Sequence, residues 1–317
     1  MPEGTSWAVL VIAGLIGLLI GSFLNVVIYR LPLILERQWL KDSSEWLSDA
    51  REIERVADLP ATHANQLAAA NSTLSKALEQ LPPLSLWLPR SRCRTCGHLI
   101  AWHDNIPVLS YLVLRGQCSV CKTAISPRYL AVELLTGAVF SVTAHHYGLT
   151  LQGLIWAVFA AILIAQFFID FDTQLLPDSL NYSLLWLGLI AAAAGWTVPL
   201  NSAIWGAVAG YLSLWLLYHA YRLVTNKEGM GHGDFKLLAA LGVWFGSEHV
   251  LAIILLSSLV GSVIGIILLT VKRISHMDTP IPFGPFLAGA GLLCLLLGPG
   301  KLAQLLPIAF PFSSLMR

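Results

Sequence analysis

Eight apolar stretches, most of them close to the ~20 residues that carry a helix across a bilayer, dominate the sequence and leave few folds open to it. They lie at about 8–28, 129–146, 151–169, 180–198, 202–223, 235–247, 250–271 and 283–298, the sixth being short. A last apolar piece, 302–315, holds two prolines and reads as an interfacial tail. With 56% hydrophobic residues, 12% charged and a mean hydropathy of +0.71, an ordinary soluble globule is excluded. The expected fold is an all-α polytopic membrane protein with about eight transmembrane helices.

The net charge of +1 says little, because in a membrane chain the distribution of charge carries the information. Of the 19 Lys and Arg, twelve fall between Arg30 and Arg128, and Arg222, Lys227, Lys236, Lys272 and Arg273 fall at alternate later connections. Positive loops stay on the cytoplasmic side, so 30–128, 224–234 and 272–282 are expected there and both termini outside, with Lys301 and Arg317 as exceptions. The first span has its basic flank, Arg30, after it and reads as a retained anchor rather than a cleaved signal. Gly14, Gly17 and Gly21 near one face of it suit close helix packing.

Three regions follow: a first transmembrane helix over 1–29, a cytoplasmic domain over 30–128, and a seven-helix membrane core with its tail over 129–317. Within the second, residues 36–80 are charged and Ala-rich and predict one or two solvated or interfacial helices. A break at Leu81-Pro82-Pro83 sets off a compact basic segment, 90–128. No internal repeat is visible, and nothing points to nucleic acid as a partner; membrane lipids are the expected surroundings.

Four of the five cysteines occur as Cys93-Arg-Thr-Cys96 and Cys118-Ser-Val-Cys121, a zinc-ribbon spacing. Two such turns can each close half of a tetrahedron, and Gly97 eases the first bend. A reducing cytoplasm argues against two disulfides. A zinc held by four sulfurs has no open position, so its role would be to fold a zinc-ribbon-like loop domain. Incidental thiols and a redox pair are the alternatives. Cys294, in the last span, reads as a small buried hydrophobe.

Carboxylates at membrane depth are costly and ask for a reason. Asp170 ends the third span in FFIDFDTQLLPD, Asp234 opens the sixth in GMGHGDFKLL, and Glu133 sits in the second. The charge map puts both aspartates at the cytoplasmic end, where they could meet. Facing carboxylates suit water-mediated amide hydrolysis: the ionised one takes a proton from water while the protonated one polarises the carbonyl. Asp234 could instead be a helix N-cap, and Asp170, Asp172 and Asp178 solvated interfacial acids. Glu133 reads as a structural or a substrate-facing acid, His232 as a spacer between glycines, and Lys236 as near the pair or reaching lipid phosphates.

Taken together, GSFLNVVIYRLP (21–32), the cysteine knuckles around NIPVLSYLVLRGQC (105–118), RYLAVELLTG (128–137), FIDFDTQLLPD (168–178), GMGHGDFKLLAALG (229–242) and PIPFGPFLAG (280–289) resemble the bacterial type IV prepilin peptidases, of the GxGD class of intramembrane aspartic proteases. The resemblance implies that Asp170 and Asp234 are catalytic and that Cys93, Cys96, Cys118 and Cys121 bind structural zinc. It implies a multi-pass enzyme of the bacterial inner membrane with its active site at the cytoplasmic face. The implied substrates are prepilin and type II secretion pseudopilin precursors, cut after the glycine that ends a basic leader. Transfer of a methyl from S-adenosylmethionine to the new amine would follow.

Arg94, where the family often has proline, and the long 36–80 segment depart from the pattern. No glycine-rich strand–turn–helix marks a cofactor site. Asn105, Arg115 and Gly116 are positions of interest for methyl transfer, and Asn25 and Arg30 belong to a motif without an assigned step. A leader peptidase lacking methyl transfer, as in the archaeal preflagellin peptidases, and a proton-coupled transporter with a zinc loop are the competing readings.

Overall fold

The computed structural model of the chain describes residues 6–271 and 281–298. Among them are eleven α-helices: α1 (Trp7–Trp46), α2 (Ala50–Ala57), α3 (Ala61–Glu79), α4 (Leu109–Val113), α5 (Pro127–Tyr147), α6 (Leu151–Thr173), α7 (Asp178–Ala193), α8 (Leu200–Thr225), α9 (His232–Phe245), α10 (Ser247–Thr270) and α11 (Gly284–Leu297). Pairing between extended segments among the described residues is limited to the isolated bridges Arg92–Leu99 and Gln117–Ala124. The expectations for Lys272, Arg273, Lys301, Arg317, most of the 272–282 connection and the 302–315 tail lie outside the described residues.

A helix occupies each of the eight apolar stretches. Four of them, α1, α6, α8 and α10, are long and apolar enough to cross a membrane. Among the described residues the fold is thus all-helical and of membrane type. The first helix departs from expectation by running on to Trp46, well past residue 28. Its apolar run ends near Arg30, but the residues beyond are good helix formers, and helix propensity does not stop where hydropathy does. Pro32 is carried inside it, leaving the carbonyl four residues earlier without its usual donor.

Contacts divide the chain into two compact units, Val26–Ala101 and Met1–Asn25 with Trp102–Arg317. In the smaller one, residues 36–80 are helical as expected, shared between the end of α1, α2 and α3. Asn71 and Ser44 hold α3 to α1 by two buried hydrogen bonds, Ser44 Oγ to Asn71 Oδ1 at 2.9 Å and Asn71 Nδ2 to the Ser44 carbonyl at 2.6 Å. Arg30 donates to the carbonyls of Ser85, Leu86 and Pro89 at 3.0, 3.3 and 2.7 Å. The arginine of the first motif thereby gathers a loop that has little regular hydrogen bonding of its own.

In the larger unit the glycine face of α1 packs as expected. A methyl on Gly17 would lie 2.8 Å from Gly137 Cα, and one on Gly21 2.8 Å from Glu133 Cα, so the α1 and α5 backbones touch where only glycine fits. Asn25 adds a hydrogen bond from Nδ2 to the Tyr129 carbonyl at 3.1 Å.

The centre of this unit is α9, buried on all sides from Asp234 through Phe245 except for Lys236. It packs against α7, α8, α10 and α11. A helix of 14 residues rises about 21 Å, short for a lipid-facing span, and it needs no more because protein surrounds it. Trp156 and Phe159 of α6 meet Trp244 at ring distances of 4.9 and 4.5 Å. The indole N–H of Trp244 donates to the Leu184 carbonyl at 2.9 Å, so the largest core side chain is satisfied as well as packed. These ring contacts join the first half of α6 to the last turn of α9.

Candidate active site

Asp170 lies in the last turn of α6. That helix ends because Gln174 turns left-handed, with φ 55°, and its N–H returns to the Asp170 carbonyl at 2.9 Å. The short loop that follows delivers Leu176 and then Pro177, which precedes α7.

Asp234 is the third residue of α9. The alternative that it caps this helix is set aside, because Gly231 occupies the cap position in extended conformation. The Gly231 N–H donates to the Asp234 carboxylate instead.

Three segments converge around Leu176. A methyl on Gly233 would lie 2.7 Å from Leu176 Cβ, and one on Gly284, the first residue of α11, would lie 3.0 Å from Leu176 Cδ1 and 2.5 Å from Asp170 Oδ2. The Gly284 N–H donates to the Asp170 carboxylate. These glycines let the loop after α6 and the starts of α9 and α11 close on one another.

Asp170 and Asp234 are 4% and 7% exposed, and their carboxylates act on each other electrostatically. One oxygen of each, Asp170 Oδ2 and Asp234 Oδ1, is buried and finds no hydrogen-bond partner among the described residues. Two adjacent buried carboxyls cannot both ionise cheaply, so the arrangement favours one shared proton. That is the protonation state acid–base attack on an amide requires.

One turn before Asp170, Gln166 donates from Nε2 to Asn181 Oδ1 of α7 at 2.7 Å in a fully buried pair. The remaining amide atoms of the pair, Gln166 Oε1 and Asn181 Nδ2, have no partner among the described residues. Sequence reasoning missed this pair, although a Gln inside an apolar run is itself a signal. It also gave Gly284 no role.

Charged residues near the pair have partners. Asp172 and Asp178, read from sequence as solvated acids, form ion pairs with Arg128 and Lys236 at 2.6 Å each. Glu133 accepts the Val108 N–H at 2.8 Å and the Ser22 hydroxyl. Val108 stands at φ 61°, a conformation rarely taken by a β-branched residue. His232 packs its ring against Tyr218 and Phe235, at 5.4 Å from each. Cys294 is buried in α11, as expected.

The sulfurs of Cys93, Cys96, Cys118 and Cys121 all lie within 4.8 Å of one another and could hold a metal ion. A tetrahedron with zinc–sulfur bonds of ~2.3 Å has edges of about 3.8 Å, so the group fits with a small contraction. Each knuckle repeats one pattern. The Cys93 N–H donates to His98 O at 2.8 Å and the Cys118 N–H to Thr123 O at 2.9 Å. Gly97 and Lys122, each four residues after the first cysteine, both take positive φ, at 72° and 58°. For the methyl donor the fit is different: the helices and isolated bridges of the described residues form no strand–turn–helix of the dinucleotide-binding kind. Asn105 ends a short 3₁₀ turn, and Arg115 and Gly116 form a left-handed bend.

An apolar helical chain with two buried carboxylates that act on each other electrostatically defines a membrane-type protein carrying an acid pair. The chain belongs to the type IV leader peptidase family. Residues 157–266, which include both aspartates, match the family model of that description, and residues 15–147, which include the four cysteines, match the bacterial peptidase A24 N-terminal domain. The chain is 46% identical over 294 residues to a prepilin leader peptidase/N-methyltransferase of Stutzerimonas stutzeri, covering 93% of this chain and 92% of the relative. Proteins of the same name from Neisseria gonorrhoeae and Legionella pneumophila are 44% and 41% identical over 283 and 293 residues; they cover 88% and 92% of this chain and 87% and 92% of themselves. The chain matches no solved structure.

Proposed function

We propose that this protein cleaves basic leader peptides from type IV prepilins and type II secretion pseudopilins after a glycine, using Asp170 and Asp234 as an aspartic dyad. The observation that carries the reading is the meeting of these two carboxylates, 64 positions apart in the chain, in one buried cluster. Membership of a leader peptidase family and the names of the relatives support the substrate class.

In the proposed reaction one carboxylate, ionised, takes a proton from a water held between the pair. The other, protonated, donates to the scissile carbonyl, and the proton is then passed to the leaving amine. The glycines at 231, 233 and 284 allow an extended substrate backbone to come close. A glycine before the cut fits the same crowding.

The charge map supports a placement with about eight membrane helices, 30–128 in the cytoplasm, 1–29 and 129–317 forming the membrane part, and the dyad at the cytoplasmic face of the bacterial inner membrane. A pilin-like precursor has an apolar helix behind a basic leader, so its cleavage point would lie at that depth. Cys93, Cys96, Cys118 and Cys121 would hold structural zinc, which supplies folding energy to the loop domain rather than an open coordination position. Methylation of the new amine from S-adenosylmethionine is proposed on the names of the relatives.

Incubating the purified full-length protein with a precursor carrying glycine before the cut, and with its Gly→Leu variant, tests the peptidase reading. Cleavage of the first and not the second is expected; no cleavage of either would favour a transporter. Labelled S-adenosylmethionine in the same reaction should label the mature product and not the precursor.

A further inference from the structure

Two bidentate ion pairs flank the aspartates. Arg128, in the first turn of α5, donates to both Asp172 oxygens at 2.7 and 2.6 Å and to the Phe168 carbonyl at 3.3 Å. Its guanidinium also lies over the Phe168 ring, 4.9 Å from the centroid. Arg128 therefore grips α6 two residues before and two residues after Asp170. Lys236, two residues after Asp234, donates to both oxygens of Asp178 at the start of α7, at 2.6 and 2.8 Å, with Nζ 5.5 Å from the Tyr182 ring.

Position relative to the dyad gives these pairs their meaning. A helix turns about 100° per residue, so a residue two positions away points to nearly the opposite face. Each aspartate faces the buried cluster, while the ion pair beside it is made on the far side of the same helix. The paired side chains remain 27% to 55% exposed, and ion pairs so accessible to solvent add little to stability. A tether on the far face resists something else, rotation of the helix about its axis. With a carboxylate about 5 Å from the axis, a rotation of about 20° moves it by roughly 2 Å. Misplacement by about 1 Å at a reacting centre can cost about 100-fold in rate.

We propose that Arg128–Asp172 and Lys236–Asp178 are positioning pairs that set the rotation of α6 and α9 and so the separation of the two catalytic carboxylates. The proposal rests on the reading of Asp170 and Asp234 as the dyad. None of the four residues touches the scissile bond; they act through the aspartates.

The test is steady-state cleavage of a precursor peptide by the purified full-length chain, comparing D172N, R128Q, D178N and K236Q, the doubles R128Q/D172N and D178N/K236Q, and the swapped pair D178K/K236E. Each single variant should lower kcat by about 10-fold or more with KM changed less than about twofold. Each neutral double should be no worse than its weaker single, because the partners act as one unit. The swap should recover most of the lost kcat. Singles with unchanged kcat would overturn the proposal. So would a rise in KM alone, which would make the acids a docking site for the basic leader, or doubles whose losses multiply. These neutral, half-exposed substitutions keep the fold testable, so the double-mutant comparison decides even where the swapped protein is not obtained. Failure of the dyad reading is separate: it would appear as retained cleavage in D170N or D234N, whatever the ion pairs do.

Discussion

Gly284 is pressed against Asp170: its N–H donates to the carboxylate, and a methyl on its Cα would lie 2.5 Å from Asp170 Oδ2. The contact joins the start of α11 to the end of α6. G284A should therefore push the carboxylate off its position while leaving the rest of the helix packed. The expected result is a loss of about 100-fold in kcat with unchanged membrane yield and thermal stability. Wild-type turnover in G284A would show that the carboxylate has room to move.

Glu133 is a buried acid that accepts the Val108 N–H, at 2.8 Å, and so holds a strained turn in place. Strain of this kind, about 1–3 kcal/mol, persists only where surrounding contacts impose it. E133L should release the segment around residues 106–114, read as faster amide exchange and new proteolytic nicking there. E133Q, which can still accept the bond, should lie between E133L and wild type. If exchange is unaffected in both while cleavage falls, Glu133 meets substrate rather than the loop.

The four cysteines should bind about one zinc per chain, measured by metal analysis of the purified protein. C93S or C121S should lower the zinc content and the thermal stability of the loop that carries the cysteines. A redox pair would instead reveal itself as a disulfide that forms and breaks reversibly with zinc content unchanged.

Much of the fold is legible in the sequence because the membrane imposes a simple code. Apolar length locates a helix at each of the eight apolar stretches, and acids in or beside those stretches draw attention to Asp170, Asp234 and Glu133. The continuation of α1 to Trp46 is hidden because hydropathy reports the solvent around a helix and not its end. The short central α9 is legible as a helix, but its shortness makes sense only once protein is seen on every side of it. Gly284 could not be assigned, since a glycine's close approach exists only in the tertiary structure. The partners of Asp172 and Asp178 are 44 and 58 positions away, and no local pattern connects them.

Packing of α1 on α5 depends on the absence of side chains at Gly17 and Gly137. G17V should destabilise the protein by about 1–3 kcal/mol, seen as a lower unfolding temperature in detergent. A neutral result would mean that the two helices can separate without cost.

The central claim is that Asp170 and Asp234 work as one unit on a substrate amide. Its most direct measurement is kcat/KM for cleavage of a basic-leader precursor by D170N, D234N and D170N/D234N, each purified at wild-type yield. Each single should fall at least about 1,000-fold, within the range of acid–base catalysis, and the double should fall no further than the worse single. Cleavage within about tenfold of wild type in either single variant would contradict it.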